Sequence, residues 1–342
     1  RGLGDVYKRQ DRLGGDEFLV VLNDVDEHEA MAIAGRLLAA CASPVASSAG
    51  PVQISASAGV LPIGIGENVQ IADAIRSADL AMYRAKREGR SRLALFDLEL
   101  TSSITRRHEI EQALRHQLDA GFLLRQHYQP IVDPANGALA GFEALARWHD
   151  AVLGPVAPDE FIPVAEETGL ITEIGRWAIV EAISQLRLLR EHPGADHLRI
   201  SVNVSGRQLA DPGFVGFVAA ALADSELPGR TLTLELTESS LIDHAADDGR
   251  VLEELRALGC GLAVDDFGTG YSSLAYLARM PVTSVKIDRS FVEGIGSSGS
   301  RGRPVVEAVV QLARSFGLRV IAEGVEEPEQ AGRLVELGVE RA

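Results

Sequence analysis

With 342 residues, the chain is long enough for two domains, or for one small domain and a barrel of about 250 residues. Its 33 basic and 49 acidic residues give a formal net charge of −16, which argues against binding to a nucleic-acid polymer and means that a phosphorylated ligand would need bound cations. The two cysteines lie far apart in sequence, which fits a reducing, cytoplasmic setting. The longest apolar stretch, Phe214–Ala223, is too short to cross a membrane, although a membrane anchor could precede this chain in a longer parent protein.

The N-terminal part of the chain predicts a small β-α-β-α-β segment. The first ten residues, 1–10, contain no predicted element and resemble the translation of a transposon end used in sequencing libraries, so we interpret them as a non-native leader. The segment then extends over 11–98, and a short linker, 99–106, follows it. Its expected strands and helices are Phe18–Leu22, Glu27–Cys41, Val52–Val60, Ile71–Glu88 and Arg92–Phe96.

A different pattern begins near Thr105, with a helix that ends at about Ala120. Strand-like and helical runs then alternate, which predicts a parallel α/β fold. An eight-stranded barrel without its last strand fits this pattern best, and an open doubly wound sheet is the alternative. The predicted strands are Tyr128–Val132, Gly141–Leu145, Leu198–Val204, Leu232–Leu236, Gly261–Val264, Ser284–Ile287 and Leu318–Ala322.

Polar side chains follow or end six of these apolar strands. Because the carboxyl ends of parallel barrel strands gather at one mouth, we expect these side chains to converge. An asparagine and several carboxylates, without His or Cys, form an oxygen-ligand set that selects hard cations such as Mg²⁺ or Mn²⁺. The residues are Glu143, Asn203, Glu235, Asp265, Asp266, Lys286 and Glu323.

The adjacent acids Asp265 and Asp266 could help to hold two metal ions about 4 Å apart, an arrangement suited to in-line displacement at phosphorus. Lys286 could neutralise phosphate charge or orient the nucleophile, and Glu323 could accept a proton or complete the second metal site. The alternative reading is that each acid only caps the helix after its strand, but this does not account for a lysine and an asparagine in the same pattern. A dinucleotide-binding loop is disfavoured, because 268–270 lacks the required glycine spacing.

Eight ordered sequence blocks lie between about Arg106 and the end of the chain: Tyr128–Val132, Glu143–Trp148, Phe161–Pro163, Val202–Ser205, Glu235–Ser239, Asp265–Gly270, Val285–Asp288 and Ala322–Glu326. Together these blocks closely resemble the EAL-domain phosphodiesterases. The resemblance implies a TIM-type (β/α)8 barrel over 107–342 that hydrolyses cyclic-di-GMP to pGpG with Mg²⁺ or Mn²⁺ and forms a homodimer.

The resemblance also implies a role for individual residues. The implied metal ligands are Glu143, Asn203, Glu235 and Asp265, with Asp266 near a second ion, and the implied catalytic pair is Lys286 and Glu323. Gln129, Arg147 and Glu326 would approach the substrate, and Glu238 would steady the loop after Asp265. Members that lack these residues act as ligand sensors, so a non-catalytic cyclic-di-GMP receptor is the alternative function.

The first part of the chain resembles the GGDEF diguanylate cyclase domain at Arg12–Phe18, Ser57–Val60 and Ala78–Arg90. The resemblance implies a tight hairpin at two glycines, metal binding by the acids after them, and phosphate contacts from two basic residues. The implied residues are Gly14, Gly15, Asp16, Glu17, Lys86 and Arg90. This domain is shorter than the family pattern, so we expect no cyclase activity from it, but GTP bound there could regulate the barrel.

The resemblance has a consequence for the C-terminus as well. The EAL pattern continues beyond Glu340 into a last strand and a Gln-Gly segment. We therefore expect an open barrel with unpaired strand edges, which would be less stable than a complete domain.

Overall fold

A computed structural model of the chain describes residues 8–42, 45–47, 50–52, 54–64, 69–87, 89, 91–121, 124–240, 249–268, 277, 279–293, 295 and 302–342. The chain divides into two compact units, Arg1–His108 and Glu109–Ala342. Within the described ranges, no helix is long and apolar enough to cross a membrane.

The first unit begins with an antiparallel hairpin of β1 (Lys8–Gly14) and β2 (Glu17–Leu22). Gly15 in its turn has a φ of 54°, a left-handed conformation that glycine adopts without steric cost. The hairpin implied by the GGDEF resemblance is therefore present. Strand β1 starts inside the segment 1–10, for which no element was expected, because residues 8–10 pair with β2.

The rest of the first unit contains two short strand pairs and two helices. They are α1 (Glu27–Cys41), β3 (Val45–Ser47), β4 (Gly50–Val52), β5 (Ala58–Val60), α2 (Ile71–Arg87) and β6 (Leu93–Leu95). The predicted single strand Val52–Val60 is wrong, because β4 turns back on β3 while β5 pairs in parallel with β6. Gly59 lets α2 pack directly on β5, since an added Cβ would lie 2.0 Å from the carbonyl oxygen of Ala78.

Helix α3 spans Leu98–Asp119, so the segment 99–106, predicted as a linker, is the first part of a helix. The division between the two units falls within α3. In the second unit, α3 buries Ile110 and Leu114, which lie four residues apart on one face.

The second unit alternates strands with helices. Its strands are β7 (Arg125–Val132), β8 (Leu139–Asp150), β9 (Gly154–Val156), β10 (Arg199–Asn203), β11 (Leu232–Thr237), β12 (Gly261–Phe267), β13 (Ser284–Ile287) and β14 (Arg319–Ala322). Its later helices are α4 (Pro158–Thr168), α5 (Ile171–Arg190), α6 (Gly206–Leu209), α7 (Phe214–Ser225), α8 (Arg250–Ala257), α9 (Arg289–Val292), α10 (Gly302–Phe316) and α11 (Pro328–Leu337), with a 3-10 turn at Gly229–Thr231.

The strands of the second unit follow chain order around one sheet, from β7 through β8 and β10 to β14. This order confirms the barrel-type fold and excludes the doubly wound alternative, whose strand order would reverse. From β8 onward the neighbours along this path are parallel. Strand β7, however, is antiparallel to β8, because the two are joined by a short turn instead of a crossover helix. The prediction of a wholly parallel sheet is wrong at this edge.

The last residues of the chain lie between the two edges of this sheet. Ala342 and Val132 of β7 exchange backbone hydrogen bonds of 2.8 and 2.9 Å. On the other side, the amide of Ala322 in β14 donates to the carbonyl of Arg341 at 2.9 Å. The expectation of unpaired edges is therefore wrong at this level of the barrel, where Arg341 and Ala342 bridge β14 and β7.

Two apolar clusters hold the second unit together. The larger lies inside and around the parallel strands and includes Leu234 and Leu262, neighbours on β11 and β12. The smaller lies where α3, β8 and α4 meet, and in it the rings of Trp148 and Phe161 pack edge to face at 5.7 Å. Strand β8 thus contacts both clusters, since Ala144 belongs to the larger one.

Candidate functional site

Lys286 on β13 is a buried lysine, only 1% exposed, surrounded by four carboxylates. Its Nζ lies 3.1 Å from Glu143, 2.6 Å from Glu235, 3.2 Å from Asp265 and 2.5 Å from Glu323. A lysine is almost never fully buried unless it is paired, and here the pairing comes from four different strands or strand ends. We call Lys286, these four acids and Asp266 the Lys286 cluster.

Strand register explains why residues far apart in sequence meet. Glu143 on β8 lies beside Ser201 of β10, and Asn203 at the end of β10 lies beside Glu235 of β11. One strand further, Asp265 on β12 lies beside Thr237 of β11. The structure therefore brings the predicted polar residues together, as parallel strands at one mouth require.

Glu143 does not end its strand, contrary to the prediction. Strand β8 continues for seven residues to Asp150, because its last part leaves the parallel sheet and pairs with β9. Glu143 faces the cluster nonetheless, and its Oε1 accepts a hydrogen bond of 2.9 Å from the amide of Asn203. Asn203 is thus held against the cluster through Glu143.

The cluster carries more negative than positive charge. Burial raises the pKa of Glu235 to about 8, since the Lys286 ammonium offsets only part of the effect and the Glu143 and Asp265 carboxylates add to it. Burial likewise raises the pKa of Glu323 to about 7, opposed by Lys286 and reinforced by Asp265. Five carboxylates around one ammonium form a site that favours an additional cation.

Lys286 itself remains charged. Burial alone would lower the pKa of its ammonium, but the surrounding carboxylates, Glu235 and Glu143 foremost, raise it well above the ordinary value. The cluster therefore contains one permanent positive charge.

One group of carboxylates in the cluster has the geometry of a metal site. Asp265, Asp266 and Glu323 each offer an oxygen, and these oxygens lie within 4.8 Å of one another. Asp266 has a φ of 53°, and its backbone amide donates to Asp265 Oδ1 at 3.0 Å. Burial, then the neighbouring Asp265 and Asp288, raise the pKa of Asp266. Oxygen-only ligands of this kind suit hard divalent cations, so these acids could hold a metal ion.

Two of the residues expected to approach the substrate lie on β7 and on β8, the strand that carries Glu143. Gln129 on β7 is the register partner of Glu143. Arg147 lies four residues beyond Glu143 on β8, so both face the same side of the strand. The Arg147 Nη1 donates to the carbonyl of Ala146 at 2.9 Å, which holds the guanidinium near the strand.

Glu326, the third such residue, is exposed in the loop after β14. Its backbone amide donates to Gln330 at 2.8 Å, and its charge helps to raise the pKa of Arg289 after the effects of Glu293. The substrate role of Glu326 stays a prediction.

The remaining predicted residues lie elsewhere. Glu238 is half-buried directly after β11, but most of the loop that it would steady, 269–276, lies outside the described residues. In the first unit, Gly15, Asp16 and Glu17 are exposed at the hairpin and Lys86 is exposed on α2, with Gly14 at the end of β1, whereas Arg90 lies outside the described residues.

Sequence reasoning overlooked Asp288. Its negative charge is among those that raise the pKa of Asp266, and its side chain caps α9 by accepting the amide of Ser290 at 3.1 Å. The signal was available, because Asp288 follows Lys286 by two residues in the same sequence block.

Comparisons with known proteins agree with this geometry. The EAL domain family model matches residues 109–342, and the diguanylate cyclase, GGDEF domain model matches residues 5–92. The bifunctional diguanylate cyclase/cyclic di-GMP phosphodiesterase MucR of Pseudomonas aeruginosa is 38% identical over 327 residues, which are 96% of this chain and 47% of MucR. The cyclic di-GMP phosphodiesterase NbdA of the same organism is 36% identical over 95% of this chain and 41% of NbdA. The chain thus spans less than half the length of these relatives.

A solved structure shows the same likeness. The PaMucR phosphodiesterase in its c-di-GMP complex is 41% identical, with a TM-score of 0.64, and the match covers 68% of this chain and 93% of that one.

Proposed function

The chain belongs to the EAL domain family, and from this premise we propose that its second unit is a metal-dependent phosphodiesterase that hydrolyses cyclic-di-GMP to pGpG. The observation that carries the proposal is the Lys286 cluster, in which a buried ammonium and five carboxylates converge. The phosphodiesterases among the relatives, and the c-di-GMP complex of PaMucR, support the choice of substrate.

We propose that the metal is Mg²⁺ or Mn²⁺, and that two ions bind. Glu143, Asn203, Glu235 and Asp265 would be the ligands of one ion, and Asp266 would lie near the second. The oxygen ligands fit such cations. When bound, the metal ions would lower the pKa of a coordinated water and neutralise negative charge on the phosphate.

The reaction adds one water across a phosphodiester bond of the cyclic dinucleotide. The water oxygen forms a bond to phosphorus, the bond from phosphorus to the 3′ oxygen breaks, and the 3′ oxygen gains a proton. Lys286 would neutralise phosphate charge or orient the attacking water, and Glu323, 2.5 Å from its Nζ, would accept the proton of the water or complete the second metal site. Arg147 would bind a phosphate through its guanidinium, with Gln129 and Glu326 also approaching the substrate.

Three further expectations go with this function. Glu238 would support the loop after Asp265, the exposed hairpin of the first unit would bind GTP with Lys86 and Arg90 contacting phosphates, and two EAL domains would form a homodimer. GTP-dependent turnover in the second unit would test the regulatory role of the first.

The test is to incubate the purified chain with cyclic-di-GMP and Mg²⁺ or Mn²⁺, and to measure pGpG by chromatography. Wild type should form pGpG, and Glu143→Gln should lower the rate by about 100-fold or more, since loss of a residue behind the ligands already costs about 10–100-fold. Glu254→Gln is the matched control, because Glu254 is an exposed glutamate paired with Arg250 on α8. It should keep the wild-type rate.

Two results would contradict the proposal. If Glu143→Gln hydrolysed cyclic-di-GMP at the wild-type rate, the Lys286 cluster would have no part in the reaction. Tight binding of cyclic-di-GMP by folded wild-type protein, without any pGpG in the presence of metal, would support the receptor alternative instead.

A further inference from the structure

A second buried polar group joins α3 to β8, on the face of the strand opposite Glu143. Gln117 of α3 accepts a hydrogen bond of 2.7 Å from the indole nitrogen of Trp148 and donates one of 2.9 Å to the carboxylate of Asp150. All three side chains are buried, with exposed fractions of 8%, 3% and 8%. We call this chain of hydrogen bonds the Gln117 relay.

The chemistry of the two partners requires a glutamine between them. An indole nitrogen can only donate, and an ionised carboxylate can only accept, so the residue between them must offer an acceptor and a donor at once. A primary amide does so in a single orientation. Glutamate would place a second negative charge beside Asp150, and methionine would leave both buried partners unsatisfied.

Asp150 extends the relay into the turn between β8 and β9. Its Oδ1 accepts the backbone amides of Val152 at 2.8 Å and Leu153 at 2.9 Å. These hydrogen bonds, that of Leu153 first, hold the pKa of Asp150 below its ordinary value, so the carboxylate stays an acceptor. The relay therefore ties helix α3 to the last part of β8 and to the turn after it.

The tied part of β8 is also the part that the parallel sheet does not hold. Strand β8 pairs with β10 only as far as Ala144, and beyond that point its partners are β7 and β9. Trp148 and Asp150 face the relay, whereas Glu143 and Arg147 face the opposite side, because side chains alternate along a strand. Arg147 is adjacent to Trp148, so an anchor on Trp148 fixes the backbone that carries Arg147.

We propose that Gln117 is a positioning residue for substrate binding. Through Trp148 and Asp150 it holds the end of β8, and thereby Arg147, in the position that binds the phosphate of the substrate. This inference rests on the function proposed above. It predicts that loss of the relay weakens substrate binding more than it slows the chemical step, because Glu143 remains held by β10 and Lys286.

The experiment measures KM and kcat for cyclic-di-GMP in the wild type and in Gln117→Met, which keeps the length of the side chain and removes both hydrogen bonds. We expect KM to rise about tenfold, since this corresponds to about 1.4 kcal/mol, roughly one hydrogen bond between Arg147 and the phosphate, and we expect kcat to change by less than about twofold. Trp148→Phe keeps an aromatic ring beside Phe161 and removes the indole donor, so it should raise KM in the same direction. If Gln117→Met does not fold, Trp148→Phe alone tests the inference.

Thr231→Val is the matched control. Thr231 is 2% exposed, and its hydroxyl donates to the carbonyl of Pro228 at 2.8 Å, at the opposite end of the barrel strands. This variant loses one buried hydrogen bond and should leave KM unchanged. An equal rise of KM in Thr231→Val, or an unchanged KM in both relay variants, would overturn the inference. Wild-type protein without turnover would contradict the proposed function instead, so the two failures are distinguishable.

Discussion

Two buried polar groups lie on opposite faces of β8, and their charge balance differs. In the Lys286 cluster, one ammonium contacts four carboxylates and a fifth, Asp266, lies beside them. In the Gln117 relay, the indole donor and the amide donor each meet an acceptor, and Asp150 receives three donors. The relay is complete within the protein, whereas the cluster retains negative charge that a cation could neutralise.

This difference indicates what each group does. Buried polar groups cost free energy unless their partners are present, and a buried charge costs more. The relay meets that condition and so can stabilise a fixed geometry. The cluster meets it only in part, which is the usual sign of a site that exists for binding or catalysis instead of stability.

The largest effect should come from removing the positive charge of the cluster. Lys286→Met would leave four carboxylates, among them the fully buried Glu235, without their shared cation, and breaking a buried ion pair in this way costs about 3–5 kcal/mol. Urea unfolding at a pH of about 8 would measure this loss of stability. Arg250→Met is the control, because it breaks an exposed ion pair that contributes at most about 1 kcal/mol. Equal free energies of unfolding for the two variants would contradict the account.

A smaller loss should follow from Asp150→Asn in the relay. The new amide has one acceptor, while Gln117 and the backbone amides of Val152 and Leu153 all donate to this carboxylate. Every orientation therefore places two donors together, which should lower the free energy of unfolding by about 1–3 kcal/mol. Calorimetric or urea unfolding of this variant would measure the loss. A free energy of unfolding equal to that of the wild type would show that these hydrogen bonds do not stabilise the protein.

An aspartate-to-asparagine substitution in the Lys286 cluster should change the free energy of unfolding in the opposite direction. Asp265→Asn removes one of the negative charges that raise the pKa of Glu235 and of Glu323, and Lys286 keeps three carboxylates. Without metal, we expect the free energy of unfolding to rise by about 0.5–1 kcal/mol, as happens when a strained functional site is neutralised. Unfolding in the presence of a chelator is the measurement. If Asp265→Asn instead lowered the free energy of unfolding as Asp150→Asn does, the cluster would carry no excess negative charge in the absence of a cation.

The strand order and the convergence of the cluster could be predicted from sequence, because both follow from local patterns. Apolar runs identify strands such as Ser284–Ile287, and a polar residue such as Lys286 inside or after a run indicates the mouth of a barrel. The antiparallel pairing of β7 was missed because the apolar run Tyr128–Val132 looks alike in either direction. The available signal is the connection between Val132 and Gly141, whose eight residues are too few for the crossover that parallel strands need.

The Gln117 relay was missed for a different reason. Gln117 follows Ile110 and Leu114 at helical spacing, so its position on the buried face of α3 could be read from the sequence. Its partners are 31 and 33 residues away on a strand, and no periodicity connects them. A polar residue at an apolar position is the available signal, and only the fold supplies its partners.

Binding of Mn²⁺ to the chelator-treated protein tests the central claim, that the Lys286 cluster needs a cation, most directly. The pKa values of Glu323, about 7, and Glu235, about 8, lie above the ordinary value, so both acids hold protons at a pH of about 6 and release them as the pH rises to about 8.5. Protons compete with the metal, and affinity should therefore increase with pH. Calorimetric titration should give saturable binding that is tighter at the higher pH and weaker in Asp265→Asn. No saturable binding, or equal affinity at both pH values and in the variant, would contradict the account.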